Sequence, residues 1–454
     1  MKKIIAISAG QDFSKKGNNI IRRKLKYLNI GLLGLVTLIK HYGNREIEMF
    51  QADDYTVLEL IDEIQTTGID LATECECILL SIPSYHSISW CARFCKQVKK
   101  QFHLPIIVGG RWVVDNHTDW IKKRLQYVDL VIEGFGEEKM SKVFGLKSDH
   151  FIFDGSKNCF PWIDYTLLHN YRNYHPNIEI SRGCGAGCHF CVDKNNRRLP
   201  NKPVKDLMNE LDLLDNLFGE YTAYYTAPHF VFEKNWMEEY HDAVKKRAKI
   251  IEWRCTTRVE SVPVSALELL HDSGLKIIDI GLESASIEQL SKMHKTSNPY
   301  KYLEKAEELL YACKENGIWV KLNVLLYAGE TMKTVEETEK WLYTHKDYIK
   351  DVSAGGLVYY HNMDNISELE RQGASIPCDE DFEKNGFVNL NLSPEIDKRQ
   401  AKQLSVSIPK IVADQRDFFD IKTFSYYPKD YKYEDFISDL EQCDPEELPF
   451  RVME

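Results

Sequence analysis

The 454-residue chain lacks three features that define large classes of proteins. It has no basic excess, since 58 Lys and Arg stand against 69 Asp and Glu for a net charge of −11, whereas proteins that bind duplex nucleic acid normally present a basic surface. Its longest apolar run, residues 30–39, is shorter than the roughly 20 residues that a membrane-spanning helix needs. It has no long low-complexity segment. These absences predict a globular protein that binds neither duplex nucleic acid nor a membrane.

The amino terminus starts with basic residues, but the apolar stretch after them ends before a signal-peptide core would be complete. We therefore expect a cytoplasmic protein. In that reducing compartment its twelve cysteines are expected to be buried small hydrophobic residues, apart from a metal-binding or catalytic subset. The cysteines assigned to the structural group are Cys75, Cys77, Cys91, Cys95, Cys159, Cys313, Cys378 and Cys443.

Residues 1–147 alternate between short apolar strands and longer helical patterns. The strands are predicted at 3–8, 77–82, 105–110 and 128–134, and the helices near 21–41, 55–66, 86–101 and 117–125. This alternation is typical of an α/β domain with a doubly wound, parallel, Rossmann-like sheet. Several strands end in Gly or Ser, where such sheets bind ligands. The alternative is that these glycines form ordinary strand-to-helix turns.

The rest of the chain is predicted to contain a linker, a second α/β domain and an extension. Residues 148–176 are polar and aromatic without a clear period, which indicates the linker. Residues 177–375 contain six strand–helix units, which predict a partial (β/α)6 barrel of the TIM type with its site at the carboxyl ends of the strands. Their strands are predicted at 177–181, 221–226, 250–257, 276–284, 318–326 and 353–360. Residues 376–454 are expected to form a C-terminal extension that closes the barrel.

Three cysteines lie close together in the segment ISRGCGAGCHFC, residues 180–191, with the spacing C-x3-C-x2-C: Cys184, Cys188 and Cys191. A structural zinc site uses four protein ligands, and a disulfide framework uses an even number of cysteines. Three thiolates can instead each bind one iron of a [4Fe-4S] cluster and leave the fourth iron without a protein ligand. The alternatives are zinc with His189 or Asp193 as a fourth ligand, or three incidental core cysteines.

The cysteine pattern, with Phe190 directly before the last cysteine, resembles that of the radical S-adenosylmethionine (SAM) superfamily. The resemblance implies that the three cysteines hold a [4Fe-4S] cluster whose unique iron is chelated by the amino and carboxylate groups of SAM. One electron, supplied by an external donor such as a flavodoxin or ferredoxin, then cleaves SAM to methionine and a 5′-deoxyadenosyl radical. Phe190 is expected to cover the cluster or to pack beside SAM.

Residues 251–295 and 312–334 resemble the third to fifth barrel units of the same superfamily. The resemblance implies that Arg258 and Glu283 contact SAM, with Arg258 on the methionine carboxylate, and that Asn323 lines the same pocket. The alternative for Arg258 and Glu283 is a salt bridge across the barrel mouth. Cys255 is either a second catalytic thiol or a buried small hydrophobe. The chain departs from the pattern at 226–228, where an acidic pair is often found, and at 327–331, where YAGET lacks a proline.

The N-terminal domain resembles the cobalamin-binding domain that precedes the barrel in one branch of the superfamily. The matching segments are 31–43, 78–87, 107–111 and 133–138. The departure is Ser14, which stands where the D-x-H-x-x-G pattern has the histidine that binds cobalt. The alternative is a domain that binds no cobalamin or uses the crevice for substrate. The implied cobalamin contacts are Asp12, Ser14, Gly17, Ser81, Gly109, Gly110 and Gly134.

Together these resemblances predict a cobalamin-dependent radical SAM C-methyltransferase that acts on a small metabolite or a peptide intermediate. One alternative is a radical SAM enzyme of the same architecture that does not methylate, such as one that rearranges a ring, cyclises its substrate or transfers another part of SAM. The other is a cobalamin or iron–sulfur sensor or electron carrier. The candidate SAM residues argue against a sensor, which needs no SAM pocket.

Overall fold

The computed structural model describes residues 2–11, 19–113 and 118–453. It divides into two compact units, Met1–Tyr174 and His175–Glu454, called here the N-terminal and the C-terminal unit. The finer domain boundaries at 147, 177 and 375 remain predictions. Within the described ranges, no helix has the length and apolar content that crossing a membrane requires.

The N-terminal unit is built on a parallel sheet, which in the described residues has five strands in the order β2-β1-β3-β4-β5. This order confirms the predicted doubly wound, Rossmann-like architecture. Because the chain leaves β1 for β2 on one side and returns to β3 on the other, the switch point lies between β1 and β3, where such sheets bind their ligands. The strands are β1 Lys3–Ser8, β2 Glu46–Gln51, β3 Cys75–Ser81, β4 Ile106–Gly109 and β5 Leu130–Val131. The helices are α1 Ile20–Arg23, α2 Ile30–Gly43, α3 Val57–Thr66, α4 Leu71–Glu74, α5 Ile88–Phe102, α6 Thr118–Arg124 and α7 Gly136–Phe144.

The N-terminal unit differs from the sequence prediction in several places, and helices α4 and α7 were not predicted. The predicted helix 21–41 is two helices, because Asn29 caps α2 by accepting the backbone N–H of Leu32. Strand β2 was not predicted, although its segment EIEMFQ begins with the polar–apolar alternation that is typical of a strand.

The C-terminal unit contains a second parallel sheet, which in the described residues has six strands in the order β11-β10-β9-β8-β7-β6. Sequential parallel strands with intervening helices confirm the partial barrel, and they bring the carboxyl ends of all six strands to one edge. The strands are β6 Asn177–Glu179, β7 Ala223–Thr226, β8 Trp253–Arg258, β9 Leu275–Glu283, β10 Trp319–Leu326 and β11 Asp351–Gly356. The helices up to β11 are α8 Val204–Phe218, α9 Lys234–Val244, α10 Leu267–Asp272, α11 Ile287–Lys292, α12 Pro299–Glu315 and α13 Met332–His345.

The remaining segments pack onto this barrel. The predicted strand 353–360 breaks after β11, and Val358–Tyr360 (β12) pairs antiparallel with Phe387–Asn389 (β13) in a separate sheet. The other helices are α14 Ile366–Arg371, α15 Phe382–Asn385, α16 Lys398–Lys410, α17 Gln415–Thr423 and α18 Tyr433–Leu440. Ile421 and Phe424, in and just after α17, pack against Ile277 near the start of β9. Helix α17 of the extension therefore packs at the amino-terminal ends of the strands, whereas Leu392 and Glu395 of the extension bond the segment that follows β10 at the opposite edge.

Most of the cysteines assigned to the structural group are buried, but the assignment is wrong for Cys378, which is exposed in the loop before α15. Cys159 is half-buried. Cys255 is fully buried, and burial raises the pKa of its thiol well above the ordinary value. A buried, protonated thiol is a poor nucleophile, which favours the interpretation of Cys255 as a small hydrophobic residue.

Candidate active site

The three cysteines of the motif lie on one loop, residues 180–199, between β6 and α8; we call it the cysteine loop. Its two arms are joined by the backbone bonds Cys184 N to Asn196 O at 3.0 Å and Leu199 N to Arg182 O at 2.8 Å. Because β6 is the first strand of the barrel and the loop follows its carboxyl end, the loop stands at the edge where (β/α) barrels carry their active sites.

The glycines of the cysteine loop have the backbone that was expected of them. Gly183, Gly185 and Gly187 have φ values of +69°, +70° and +72°, which side-chain-bearing residues rarely adopt. At Gly183 a Cβ atom would also lie 2.2 Å from the carbonyl oxygen of Arg197, whereas Gly187 has open space around the same position. The two arms of the loop therefore approach each other closely only because residue 183 has no side chain.

The three thiols lie within electrostatic reach of one another. Burial raises the pKa of Cys191, and the charges of Cys184 and Cys188 raise it further. In the described ranges, no three His, Cys, Asp or Glu side chains converge as ligands of a single metal ion. An iron–sulfur cube does not require such convergence, because each thiolate binds a different iron. The loop's three thiols, its left-handed glycines and its closed arms fit a cluster better than a single zinc ion.

Arg258, the last residue of β8, points at the cysteine loop. Its Nη1 donates to the Sγ of Cys188 at 3.0 Å, and its Nη2 bonds the carbonyl oxygen of Lys295 and lies 3.5 Å from a carboxylate oxygen of Glu260. Burial opposes the charge on Arg258, but Cys188 and Glu260 hold its pKa above the ordinary value. A permanent cation thus lies against one of the three thiols.

Glu283 ends β9 in the left-handed region, with a φ of +68° that is uncommon for a residue other than glycine. One of its oxygens lies 2.9 Å from the Nζ of Lys295, and this pair is almost fully buried. The same ammonium group is 6.0 Å from the ring centroid of Phe190. Arg258 and Glu283 therefore pair with other residues rather than with each other, and both lie beside the segment that carries Lys295.

Asn323 lies in the middle of β10, opposite Gly281 of β9 and Ser353 of β11 in the register. Its side-chain oxygen accepts a bond of 3.0 Å from the Nζ of Lys321. The residue is half-buried. Because an accepting oxygen occupied in this way leaves the amide N–H groups for other partners, Asn323 is suited to donate hydrogen bonds inside the barrel.

The residues next to Phe190 anchor the cysteine loop to later parts of the chain. The Nδ1 of His189 lies 2.7 Å from a carboxylate oxygen of Glu368 in α14, and its ring stacks on His294 with centroids 3.7 Å apart. The side chain of Asn365 donates to the carbonyl oxygen of His189 at 2.9 Å. Asp193, the other candidate for a fourth zinc ligand, accepts a bond of 3.0 Å from Asn196. Both side chains are thus engaged in holding the loop.

Two residues near the site were not singled out in the sequence. Lys295 follows the short helix α11, and no spacing relative to the cysteines marks it. His229 lies just after β7, and its Nε2 is 2.5 Å from the Oγ of Ser261. Burial, then the charge of Arg258, lowers the pKa of His229 to about 4, so the imidazole is neutral at physiological pH. The sequence carried only an indirect signal for His229. Because the acidic pair that is often found at 226–228 is absent, no side chain was assigned to the carboxyl end of β7.

A buried ionic network lies deeper in the barrel, toward the amino-terminal ends of the strands. The guanidinium of Arg254 donates to both carboxylate oxygens of Asp279, at 2.6–3.1 Å, and to the carbonyl oxygen of Ile421 at 3.1 Å. Lys321 lies 3.8 Å from the same carboxylate. Burial raises the pKa of Asp279, but the charges of Arg254 and Lys321 outweigh it and hold that pKa below the ordinary value. The barrel floor is thus closed by buried side chains of opposite charge, each of which compensates the charge of its neighbour.

In the N-terminal unit, the predicted cobalamin residues that the structure describes lie after the carboxyl ends of strands. Ser81 ends β3 and Gly109 ends β4, whereas Gly110 and Gly134 follow strands with φ values of +114° and +65°. A Cβ atom at Gly110 would lie 2.7 Å from the backbone nitrogen of Ile82, so this turn requires glycine. The other three predicted contacts, Asp12, Ser14 and Gly17, lie outside the described residues.

Comparison with known proteins agrees with this geometry. Residues 178–342 match the family model of the radical SAM superfamily. Strands β6 to β10, the cysteine loop and helices α8 to α13 fall within or against those bounds. The chain therefore contains a radical SAM domain. None of the curated proteins that were compared matches the chain.

Over most of its length the chain is similar in fold to solved radical SAM structures. The radical SAM methyltransferase TsrM from Kitasatospora setae, with cobalamin and a [4Fe-4S] cluster bound, aligns over 92% of this chain and 90% of its own, with a TM-score of 0.69 and 12% identity. The same protein with tryptophan substrate and a SAM analogue bound aligns over the same shares, with a TM-score of 0.65 and 13% identity. The cobalamin-dependent SAM radical enzyme OxsB aligns over 75% of this chain and 52% of its own, with a TM-score of 0.54 and 16% identity.

Proposed function

We propose that this protein is a cobalamin-dependent radical SAM enzyme that methylates a carbon atom of a small metabolite or peptide intermediate. The observation that carries the proposal is the cysteine loop at the carboxyl end of β6, with the guanidinium of Arg258 on the thiol of Cys188. The radical SAM domain and the similarity in fold to TsrM and OxsB support it.

The residues of the C-terminal unit divide the work of the site. Cys184, Cys188 and Cys191 would hold a [4Fe-4S] cluster, and Arg258 would stabilise the thiolate of Cys188 and bind the carboxylate of SAM. Glu283, held by Lys295, would accept from the ribose hydroxyls or the amino group of SAM. When bound, the cluster supplies the electron that cleaves SAM, and cobalamin supplies a carrier for the methyl group.

The strand ends of the N-terminal unit are proposed to bind cobalamin. Ser81, Gly109, Gly110 and Gly134 lie where a doubly wound sheet binds its ligand. Ser14 replaces the usual imidazole, so we propose that cobalt receives no histidine ligand from this position.

The test uses the full-length protein, purified without oxygen, reconstituted with iron and sulfide, and supplied with SAM, a chemical reductant and hydroxocobalamin. We expect both 5′-deoxyadenosine and S-adenosylhomocysteine among the products. A variant with Cys184, Cys188 and Cys191 changed to alanine is expected to form neither compound. The matched control is Cys378→Ala, which removes an exposed thiol outside the loop and should leave both products unchanged.

The outcomes separate the candidate functions. If 5′-deoxyadenosine forms without S-adenosylhomocysteine, the enzyme is a radical SAM enzyme that does not methylate, and the methyltransferase proposal is wrong. If neither product forms while the protein retains its cluster, a sensor or electron carrier is the better description.

A further inference from the structure

One side chain bridges the two strands that flank the switch point of the N-terminal sheet. The amide nitrogen of Asn29 lies 3.0 Å from the Oγ of Ser8, the last residue of β1, and 3.0 Å from the Oγ of Ser81, the last residue of β3. In the chain, Asn29 is 21 positions from Ser8 and 52 positions from Ser81. They meet because the parallel strands β1 and β3 are neighbours and α2 begins at their carboxyl ends.

The orientation of the Asn29 amide is determined by the helix that it caps. Its Oδ1 accepts the backbone N–H of Leu32 at 3.1 Å. A backbone N–H can only donate, so the atom that faces it must be the oxygen, and the atom that faces the two serines must be the NH2 group. An amide nitrogen does not accept hydrogen bonds. Both serine hydroxyls therefore act as acceptors toward Asn29.

This arrangement determines what the two hydroxyls can offer to a ligand. A hydroxyl that accepts from one partner still carries one proton to donate. Ser8 and Ser81 are 4% and 6% exposed, and within the described ranges no acceptor for either hydroxyl proton is found. A Cβ at residue 110 would lie 2.8 Å from the Oγ of Ser81, so the residue that faces this hydroxyl is a glycine. Two buried donors thus lie together at the edge of the sheet where such folds bind ligands, and neither has an acceptor among the residues that the structure describes.

We propose that Asn29 is a positioning residue that sets Ser8 and Ser81 as a pair of hydrogen-bond donors to acceptor atoms of the ligand at the switch point. The inference rests on the proposed function, since it takes that ligand to be cobalamin, whose amide, phosphate and ribose oxygens are such acceptors. Asn29 acts through the serines and does not itself contact the ligand, because its oxygen and both N–H groups are already engaged.

The test replaces Asn29 by a residue that keeps the cap but reverses the polarity of the bridge. In Asn29→Asp the carboxylate still accepts the N–H of Leu32, so α2 stays capped. It can only accept from the serines, so their protons turn toward residue 29 and away from the ligand. We expect the affinity of the full-length protein for hydroxocobalamin, measured by equilibrium dialysis, to fall about 10–100-fold, as the loss of two hydrogen bonds predicts. Thermal unfolding checks that the variant is folded.

Three further variants isolate the cause. Asn298→Asp makes the same chemical change at an exposed cap, that of α12, and should leave the affinity unchanged. The double variant Ser8→Ala/Ser81→Ala should weaken binding to a similar extent as Asn29→Asp. Adding Asn29→Asp to that double variant should produce no further loss, because the residue then has nothing to act through.

Each outcome decides the inference. Affinity of Asn29→Asp within about threefold of the wild type would overturn it, and so would a further loss in the triple variant, which would mean that the charge of Asp acts directly. If Asn29→Asp does not fold, Asn29→Ser keeps a neutral cap without the bridge and is expected to lose about 3–10-fold in affinity; no loss would overturn the inference. Wild-type protein that binds no hydroxocobalamin would overturn both the inference and the cobalamin part of the proposed function, whereas normal wild-type binding with unaffected variants would overturn the inference alone.

Discussion

Asp279→Asn should strongly destabilise the C-terminal unit, because the substitution removes the anion at the centre of the barrel floor. The carboxylate accepts from Arg254 through both oxygens at 2.6–3.1 Å and lies 3.8 Å from the ammonium of Lys321. The side chains of Arg254 and Asp279 are 1% and 5% exposed. An asparagine keeps the shape of the carboxylate but leaves Arg254 without its counter-ion, and Lys321 retains only Asp351 as a nearby anion.

The expected loss follows from the burial of this pair. Removing one partner of a buried ion pair costs about 3–5 kcal/mol, because the remaining charge is left uncompensated. Arg254 keeps its bond to the carbonyl of Ile421 and its place between the rings of Tyr224 and Tyr426, each 5.3 Å away. These contacts retain part of its stabilisation, so we expect a loss near the lower end, about 3 kcal/mol.

The free energy of unfolding is measured in urea, with hydrogen–deuterium exchange of peptides from β8 to β11 as the probe. This probe reports the C-terminal unit separately from the N-terminal one. With an m-value of about 3 kcal/mol/M, the midpoint should fall by about 1 M. Replacing the pair by apolar residues, Arg254→Met with Asp279→Leu, should cost less than Asp279→Asn alone, since the buried guanidinium is then removed together with its partner and only Lys321, 3.8 Å away, loses a nearby anion.

The matched control is Glu238→Gln, which breaks an exposed pair with Lys234 at 3.9 Å and should change the free energy of unfolding by less than about 0.5 kcal/mol. A loss below about 1 kcal/mol for Asp279→Asn would refute the reasoning, because it would mean that water or another anion neutralises Arg254.

Three further predictions concern the cysteine loop, the site and pH. Gly183→Ala should abolish cluster assembly, measured by iron content and absorbance, because its Cβ would lie 2.2 Å from a backbone oxygen, whereas Gly187→Ala meets open space and should retain most of the cluster at a strain of about 1–2 kcal/mol. Lys295→Met should weaken SAM binding about 10-fold or more in equilibrium dialysis, because it leaves the buried carboxylate beside it unpaired; unchanged affinity would contradict this role. Burial lowers the pKa of His175 to about 4. Between about pH 6.5 and pH 4, this histidine is therefore protonated in the unfolded chain but neutral in the folded chain. The free energy of unfolding should fall from pH 6.5 toward pH 4 by up to about 3 kcal/mol. His175→Gln should flatten that slope in urea titrations, and an unchanged slope would disprove the assignment.

The cysteine loop was predictable because its chemistry is local. Cys184, Cys188 and Cys191 lie within eight residues, and the glycines between them adopt a left-handed backbone. Both features are determined by the local sequence alone. The alternation of strands and helices was equally readable, because hydrophobic periodicity within each segment carries it. One failure of that prediction was local as well, since the cap at Asn29 divided one predicted helix into two.

The partners of the site residues were decided only by the tertiary structure. Lys295 meets Glu283 twelve positions away, Glu368 meets His189 across 179 positions, and Asn29 joins two serines at strand ends. No periodicity or spacing in the sequence encodes these contacts, because they depend on which strands become neighbours and where each helix packs. The sequence by itself determined that three thiols and a flexible turn would come at the end of a barrel strand. The packing of the strands and helices decided which cation, which carboxylate and which hydrogen-bond donors would surround the two predicted sites, since those contacts exist only after distant segments have been brought together.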